Sequence, residues 1–314
     1  MKSIYATNLS KSYGDLVAVN GIDIQVDVGC AFGFLGSNGA GKSTTIKMLT
    51  TLIQPTAGKL NILGIDALRN PLKIRNKIGV VLQQPSYEPT LSVEKSLTKY
   101  GMMWNIPPDE RCRRAEQLLH DFDLTGFRNR RNEDLSIGQR RRVQVAREFM
   151  HDMDLLFLDE PTVGLDPSAR RSLLDYLKER VKGGLTIFYT THVLSEADYL
   201  CDEIAIIKGG RMLVSDTPSA LKKKMRRKKT ITLRTNVSDT AVRGILAGID
   251  DCVVESGMGA HVVIESTEPE ETLLKVLSRL HQNNIKMREI SAEAATLEDI
   301  FLETVGNASS NSTN

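Results

Sequence analysis

An α/β core followed by a small α+β domain is the architecture this sequence predicts, and three observations predict it. Over the first two thirds of the chain, short apolar runs alternate with longer helical patterns, as they do in parallel-sheet proteins. A glycine-rich G-x-x-x-x-G-K-S pattern lies between one such run and one such helix. Seven of the eight residues from Lys222 to Lys229 are basic, and the patterning differs on either side of them. They set a boundary near residue 225. The 314-residue length also exceeds the ~250 to 300 residues at which a single core stops growing.

The elements follow in order. Ala31 to Leu35, Lys77 to Leu82, Asp154 to Leu158, Leu185 to Tyr189 and Glu203 to Ile207 read as buried strands, because their apolar runs do not alternate with polar residues. Lys42 to Ile53 carries apolar residues at Ile46, Leu49 and Ile53, and Ser168 to Lys182 at Leu173, Leu174, Leu177 and Val181. Both spacings predict helices that pack one face on a sheet. Ser92 to Met103 and Asp109 to Phe122 read as helices split by Pro107-Pro108, a helical subdomain inserted at about 88–150. Beyond the basic run, strands at Thr230 to Arg234, Asp251 to Glu255, His261 to Glu265 and near Ile285 to Ile290 alternate with helices near Ser238 to Ile249 and Pro269 to Gln282. This is β-α-β-β-α-β, a ferredoxin-like α+β domain over 226–306. A last helix is expected from Thr296, where Thr296-Leu297-Glu298-Asp299 resembles a capping box. The polar tail 307–314 reads as disordered.

Composition excludes several classes. With 41 Lys and Arg against 39 Asp and Glu the net charge is +2, so nothing global argues for a nucleic-acid partner. A 41% apolar content is too high for a disordered chain. No run approaches the roughly 20 apolar residues of a membrane span, and Met1 to Gly14 has no secretory core. The expectation is a cytoplasmic chain. Its four cysteines are scattered without a CxxC pair and read as reduced thiols rather than zinc ligands.

The chemistry begins at Gly36-Ser37-Asn38-Gly39-Ala40-Gly41-Lys42-Ser43-Thr44, directly after a strand and opening a helix. Such a loop curls so that successive N–H groups point at phosphate oxygens, and the helix start adds its positive end. Lys42 supplies a cation for the outer phosphates and Ser43 a hydroxyl for Mg²⁺. Downstream, Asp159 and Glu160 end a buried strand, where ligands gather in open parallel sheets. Asp159 suits the Mg²⁺ shell, and Glu160 suits a general base for the attacking water. Leu135-Ser136-Ile137-Gly138-Gln139 precedes a further helix. Ser136 and Gly138 there offer a hydroxyl and N–H groups at a helix start, a second anion site that a single nucleotide does not need.

The order P-loop, LSIGQ, LLFLDEP, Gly164-Leu165-Asp166 and Thr191-His192 resembles the nucleotide-binding subunits of ABC transporters over residues 1–225. Arg140-Arg141-Arg142 after the signature, and Thr296 to Leu302 in the C-terminal domain, resemble the drug-exporter ATPases of the daunorubicin-resistance type. The resemblance implies a P-loop ABC ATPase fold and further roles. Tyr13 stacks on adenine. Gln83 reaches Mg²⁺ and the attacking water, and His192 contacts the γ-phosphate and holds Glu160. The signature Ser136, Ile137, Gly138 and Gln139 faces ATP bound to an opposing subunit, with Asp166 crossing the interface. Two departures from the family pattern, Ile137 for glycine and Ser37 for proline, fall where neighbouring residues make the phosphate contacts.

The function expected is therefore that of the ATP-hydrolysing subunit of an exporter. Its cofactors are ATP and Mg²⁺; its partners are a separate membrane-spanning subunit and a second copy or paralogous ATPase. It is peripheral on the cytoplasmic face of the membrane. An alternative is a soluble ABC protein acting on ribosomes or nucleic acid, supported by the basic run and by Arg128, Arg130 and Arg131. Two readings of Lys222 to Lys229 stand open, a solvated linker and a contact with anionic lipid headgroups.

Overall fold

A computed structural model describes residues 1–84, 86–225, 229–235, 237, 239–246, 249, 252–256, 261–266 and 269–293. The helix expected from Thr296, the tail 307–314 and residues 226–228 of the basic run lie outside them. The chain divides into two compact units, Met1–Asp216 and Thr217–Asn314.

The first unit holds, in order, β1 (Lys2–Tyr13), β2 (Leu16–Asp27), β3 (Ala31–Leu35), α1 (Lys42–Leu49), β4 (Ala57–Ile62), β5 (Ile65–Asp66), α2 (Pro71–Arg75) and β6 (Ile78–Val81). Then come α3 (Val93–Met103), α4 (Pro108–Asp121), α5 (Ile137–Glu148), β7 (Leu155–Asp159), α6 (Pro167–Lys182), β8 (Thr186–Thr191), α7 (Leu194–Leu200), β9 (Glu203–Lys208) and β10 (Arg211–Asp216). A six-stranded sheet runs β10-β9-β3-β8-β7-β6, parallel from β9 to β6 with β10 antiparallel at the edge. Every residue of β3, β7 and β8 is buried, which is why their centres read as apolar runs without polar alternation. On one face Phe188 gathers Phe32, Phe34 and Phe157 at centroid distances of 5.5, 5.5 and 5.7 Å. Each such pair adds about 0.5–1.5 kcal/mol beyond its buried area.

A second sheet, β2-β1-β4-β5, is antiparallel, and the sequence pattern does not reveal it. Its strands β1 and β2 carry register shifts at several points, which break the alternation that reveals a strand. Residues 42–53 form a shorter helix than their apolar spacing suggests. It stops at Leu49 because Thr50 caps it and Thr51 turns into the left-handed region at φ 60°. The helical insertion forms as α3, α4 and α5, with Ser92 accepting from the Lys95 N–H at the start of α3 and Pro108 opening α4.

The second unit holds α8 (Pro218–Met225), β11 (Lys229–Thr235), α9 (Asp239–Leu246), β12 (Cys252–Ser256), β13 (His261–Ser266), α10 (Pro269–Gln282) and β14 (Met287–Glu293). Its antiparallel sheet runs β12-β13-β11-β14, the order that β-α-β-β-α-β connectivity gives. The last strand starts at Met287, two residues later than expected. Leu233, Val242, Leu246, Ile249, Val262, Ile264, Val276 and Leu280 form a core of the unit's own.

Candidate functional site

Strand pairing assembles the site. Leu35 of β3 pairs with Thr191 of β8, Thr190 with Asp159 of β7, and Val81 of β6 with Leu158. The segments that leave these strands carry Gly36, His192, Glu160 and Gln83, so four distant stretches of sequence emerge in a row at the carboxyl edge of one sheet.

The P-loop is shaped by what it excludes. A side chain at Gly36 would put its Cβ 2.6 Å from the Ile207 carbonyl oxygen. At Gly41 it would stand 2.7 Å from the Ala18 oxygen, on a backbone at φ 109° that only glycine adopts without strain. The ammonium of Lys42, buried to 6% exposure, donates to the carbonyls of Gly36 at 2.7 Å and Ser37 at 3.2 Å. It also lies 3.4 Å from Glu160 Oε1.

Glu160 is the meeting point. Its carboxylate accepts from Gln83 Nε2 at 3.3 Å and stands 3.4 Å from His192 Nδ1. Its backbone is in the left-handed region at φ 48°, a conformation that costs a non-glycine residue about 1–3 kcal/mol. Its N–H donates to both the carbonyl and the hydroxyl oxygen of Thr190, each at 3.1 Å. The Thr190 hydroxyl in turn donates to Asp159 Oδ1 at 2.7 Å, so one threonine holds both the Asp159 carboxylate and the Glu160 backbone.

The signature forms a second patch. Ser136 caps α5 in a full capping box, its hydroxyl accepting from the Gln139 N–H while the Gln139 side chain accepts from the Ser136 N–H. Ile137 is 67% exposed. Gly138 packs so closely that a Cβ would meet the Gly164 carbonyl at 2.7 Å, which ties the signature to the segment carrying Asp166. Asp166 caps α6 through the Ala169 N–H at 2.9 Å, and that hydrogen bond holds its carboxyl below the usual range. Tyr13 ends β1 half-exposed, with the Lys11 ammonium 5.2 Å from its ring centroid. Ser43 and Thr44, in the first turn of α1, are half-buried.

Besides Thr190, three residues of the site carry no signal in the sequence. In the sequence Arg141 is one of three consecutive arginines; in the fold it is buried and donates to the Asp159 and Glu160 carbonyls at 2.6 and 2.9 Å. Burial pushes its guanidinium down to about 10, still charged at neutral pH. Gln144 lies beside it. Glu196 of α7 accepts from the hydroxyls of Thr162, Tyr189 and Thr191 at 3.0, 2.8 and 2.8 Å. Only a buried acid four residues after His192 could have signalled it. A groove of about 720 Å³ lies instead at the amino ends of β6, β7 and β8, beside Lys77, Asp154 and Leu185, and contains none of these residues.

Comparison with known proteins gives the family. A family model described as ABC transporter matches residues 19–163, and one described as ATP-binding protein DrrA1-3-like, C-terminal domain, matches residues 217–305. The chain is 32% identical to the linearmycin resistance ATP-binding protein of Bacillus subtilis, over 96% of this chain and 98% of that one. It is 33% identical to the daunorubicin/doxorubicin resistance ATP-binding protein of Streptomyces peucetius, over 97% and 93%. It is 35% identical to a Nod factor export ATP-binding protein of Cupriavidus pinatubonensis, over 94% and 88%. Among solved structures, an ATP-binding subunit of an ABC transporter superposes with a TM-score of 0.65 at 29% identity, covering 70% of this chain and 92% of that one. A dimeric ATP-binding cassette in a post-hydrolysis state with ADP and Pi gives 0.64 at 26%, covering 68% and 98%. With a phosphate loop, an acidic strand end and a signature helix in one unit and kinship along nearly its whole length, the chain belongs to the ABC transporter ATP-binding proteins of the daunorubicin-resistance type, the ATP-hydrolysing subunits of exporters.

Proposed function

We propose that this chain binds MgATP between its own P-loop and the signature of a second copy or a paralogous subunit, and hydrolyses it with Glu160 as general base. The resulting opening and closing drives export through a separate membrane-spanning subunit. The observation that carries the reading is the convergence of Lys42, Gln83 and His192 on the carboxylate of Glu160.

The P-loop from Gly36 to Thr44 wraps the phosphates, with Lys42 exchanging its carbonyl partners for phosphate oxygens. Tyr13 stacks on the base. Ser43, Gln83 and Asp159 offer hard oxygen donors that suit Mg²⁺, and Thr190 already fixes one Asp159 oxygen. Bound there, Mg²⁺ neutralises phosphate charge. Glu160 takes the proton of the attacking water while Gln83 and His192 hold its carboxylate in place. Ser136, Ile137, Gly138 and Gln139 close on the γ-phosphate of the opposing subunit beside Asp166. Contacts to that phosphate from both sides favour the closed dimer, and their loss on hydrolysis reopens it.

Among the described residues no helix is long and apolar enough to cross a membrane. That supports a membrane path supplied by another chain, with this one peripheral on its cytoplasmic face. The linearmycin and daunorubicin relatives support a drug-type cargo. Contact of Lys222 to Lys229 with anionic headgroups, worth roughly 1 kcal/mol per basic residue, belongs to the same proposal. So does a division of labour between an ATPase domain over 1–225 and an accessory domain over 226–306.

A mixing experiment tests the shared site. K42A and S136A homodimers each lack one half of both composite sites, so both should be nearly inactive. Their mixture contains a dimer with one intact P-loop facing one intact signature and should recover turnover. A mixture as inactive as its components contradicts the arrangement.

A further inference from the structure

We infer that Arg141 is a positioning residue for hydrolysis, clamping from the signature helix the two segments that carry Gln83 and Glu160; the inference rests on the reading of those residues proposed above. A guanidinium has five N–H donors. All five are taken: Nε by the Pro161 carbonyl at 3.2 Å, Nη1 by the Leu82 carbonyl at 2.7 Å and Gln144 Oε1 at 2.9 Å, and Nη2 by the Asp159 and Glu160 carbonyls at 2.6 and 2.9 Å. Four of these acceptors are backbone oxygens from two loops. Three come from the consecutive residues that turn the chain at Glu160, and the fourth immediately precedes Gln83.

Gln144, one turn further along α5, completes the clamp. While its Oε1 accepts from Arg141, its Nε2 donates to the carbonyls of Leu82 and Gln84, each at 3.3 Å. Gln83 is thus gripped on both sides. Its own side chain meets the Glu160 carboxylate. The backbone of the reacting pair is therefore referenced to one helix, α5, which Ser136 caps. A displacement of the signature on meeting the opposing nucleotide is carried by this helix to the Glu160 turn of its own subunit. Lysine cannot substitute, because an ammonium is a compact charge with three donors and cannot span two loops in one plane.

The full-length chain tests this, with ATP hydrolysis measured for R141K, R141M and Q144L beside E160Q, and folding checked by thermal melting. Neither Arg141 nor Gln144 contacts the P-loop lysine or its phosphate-facing loop, so KM for ATP should stay within about threefold while kcat falls about 100-fold for the Arg141 variants, the cost of misplacing a reacting group by about 1 Å. Q144L should lower kcat by about fivefold, also without a change in KM. Folded Arg141 variants with wild-type kcat, or a loss confined to KM, overturn the inference. Where the Arg141 variants do not fold, Q144L decides, and wild-type kcat in it is the contrary result. An inactive E160Q alongside fully active Arg141 variants removes this inference alone, whereas an active E160Q removes the reading on which it rests.

Discussion

His151 follows α5 and shows how burial fixes the charge of a single side chain. Its ring stacks on Trp104 at 3.8 Å between centroids and 3° between planes, and only 5% of the residue is exposed. Burial holds its pKa below the ordinary 6.5; Asp152 pulls the other way and Arg114 adds to the lowering. The folded protein therefore binds fewer protons here than the unfolded chain below pH 6.5, so stability is full above that value and is lost as pH falls through it. The neighbouring Glu148 acts with opposite sign. Burial raises its pKa from 4.5, so its protonation favours the fold as pH falls, equally in wild type and in a His151 variant. H151F keeps the ring stack and removes the titration. In urea titrations at pH 7.5 and 5.5, the wild type should lose more stability on acidification than H151F, and equal losses would show that His151 does not titrate.

At the scale of elements, a buried acid fastens α7 to the sheet. Glu196 collects three hydroxyls, from Thr162 after β7 and from Tyr189 and Thr191 of β8, and Arg170 of α6 stands 3.3 Å from its other oxygen. The segment carrying His192 is held between Thr191 and this anchor. E196A leaves those hydroxyls buried without an acceptor and should lower the unfolding free energy by about 3 kcal/mol, measured by urea titration. His192 would lose its support with it, so slower ATP turnover should accompany the lost stability. Retention of both would show that the hydroxyls find other partners.

For the whole molecule, the central strands and the P-loop were legible because their signals are local. A fully buried strand is a run of apolar residues, and the P-loop needs glycine where Ile207 and Ala18 crowd the backbone. The antiparallel sheet was hidden by register shifts in β1 and β2, and the end of α1 by a left-handed Thr51. The site was legible as far as its residues stand in short sequence motifs. Thr190, Arg141, Gln144 and Glu196 were not, because their work is done on backbone and neighbouring side chains far away in sequence, through contacts that exist only once the sheet has formed. The central claim, that Glu160 performs hydrolysis in a dimer held closed by ATP, is tested most directly by E160Q, with turnover and sedimentation followed in the same MgATP solution. Turnover should fall by about 10²–10⁴-fold while an ATP-dependent dimer accumulates. Hydrolysis at the wild-type rate, or inactivity without ATP binding, would contradict it.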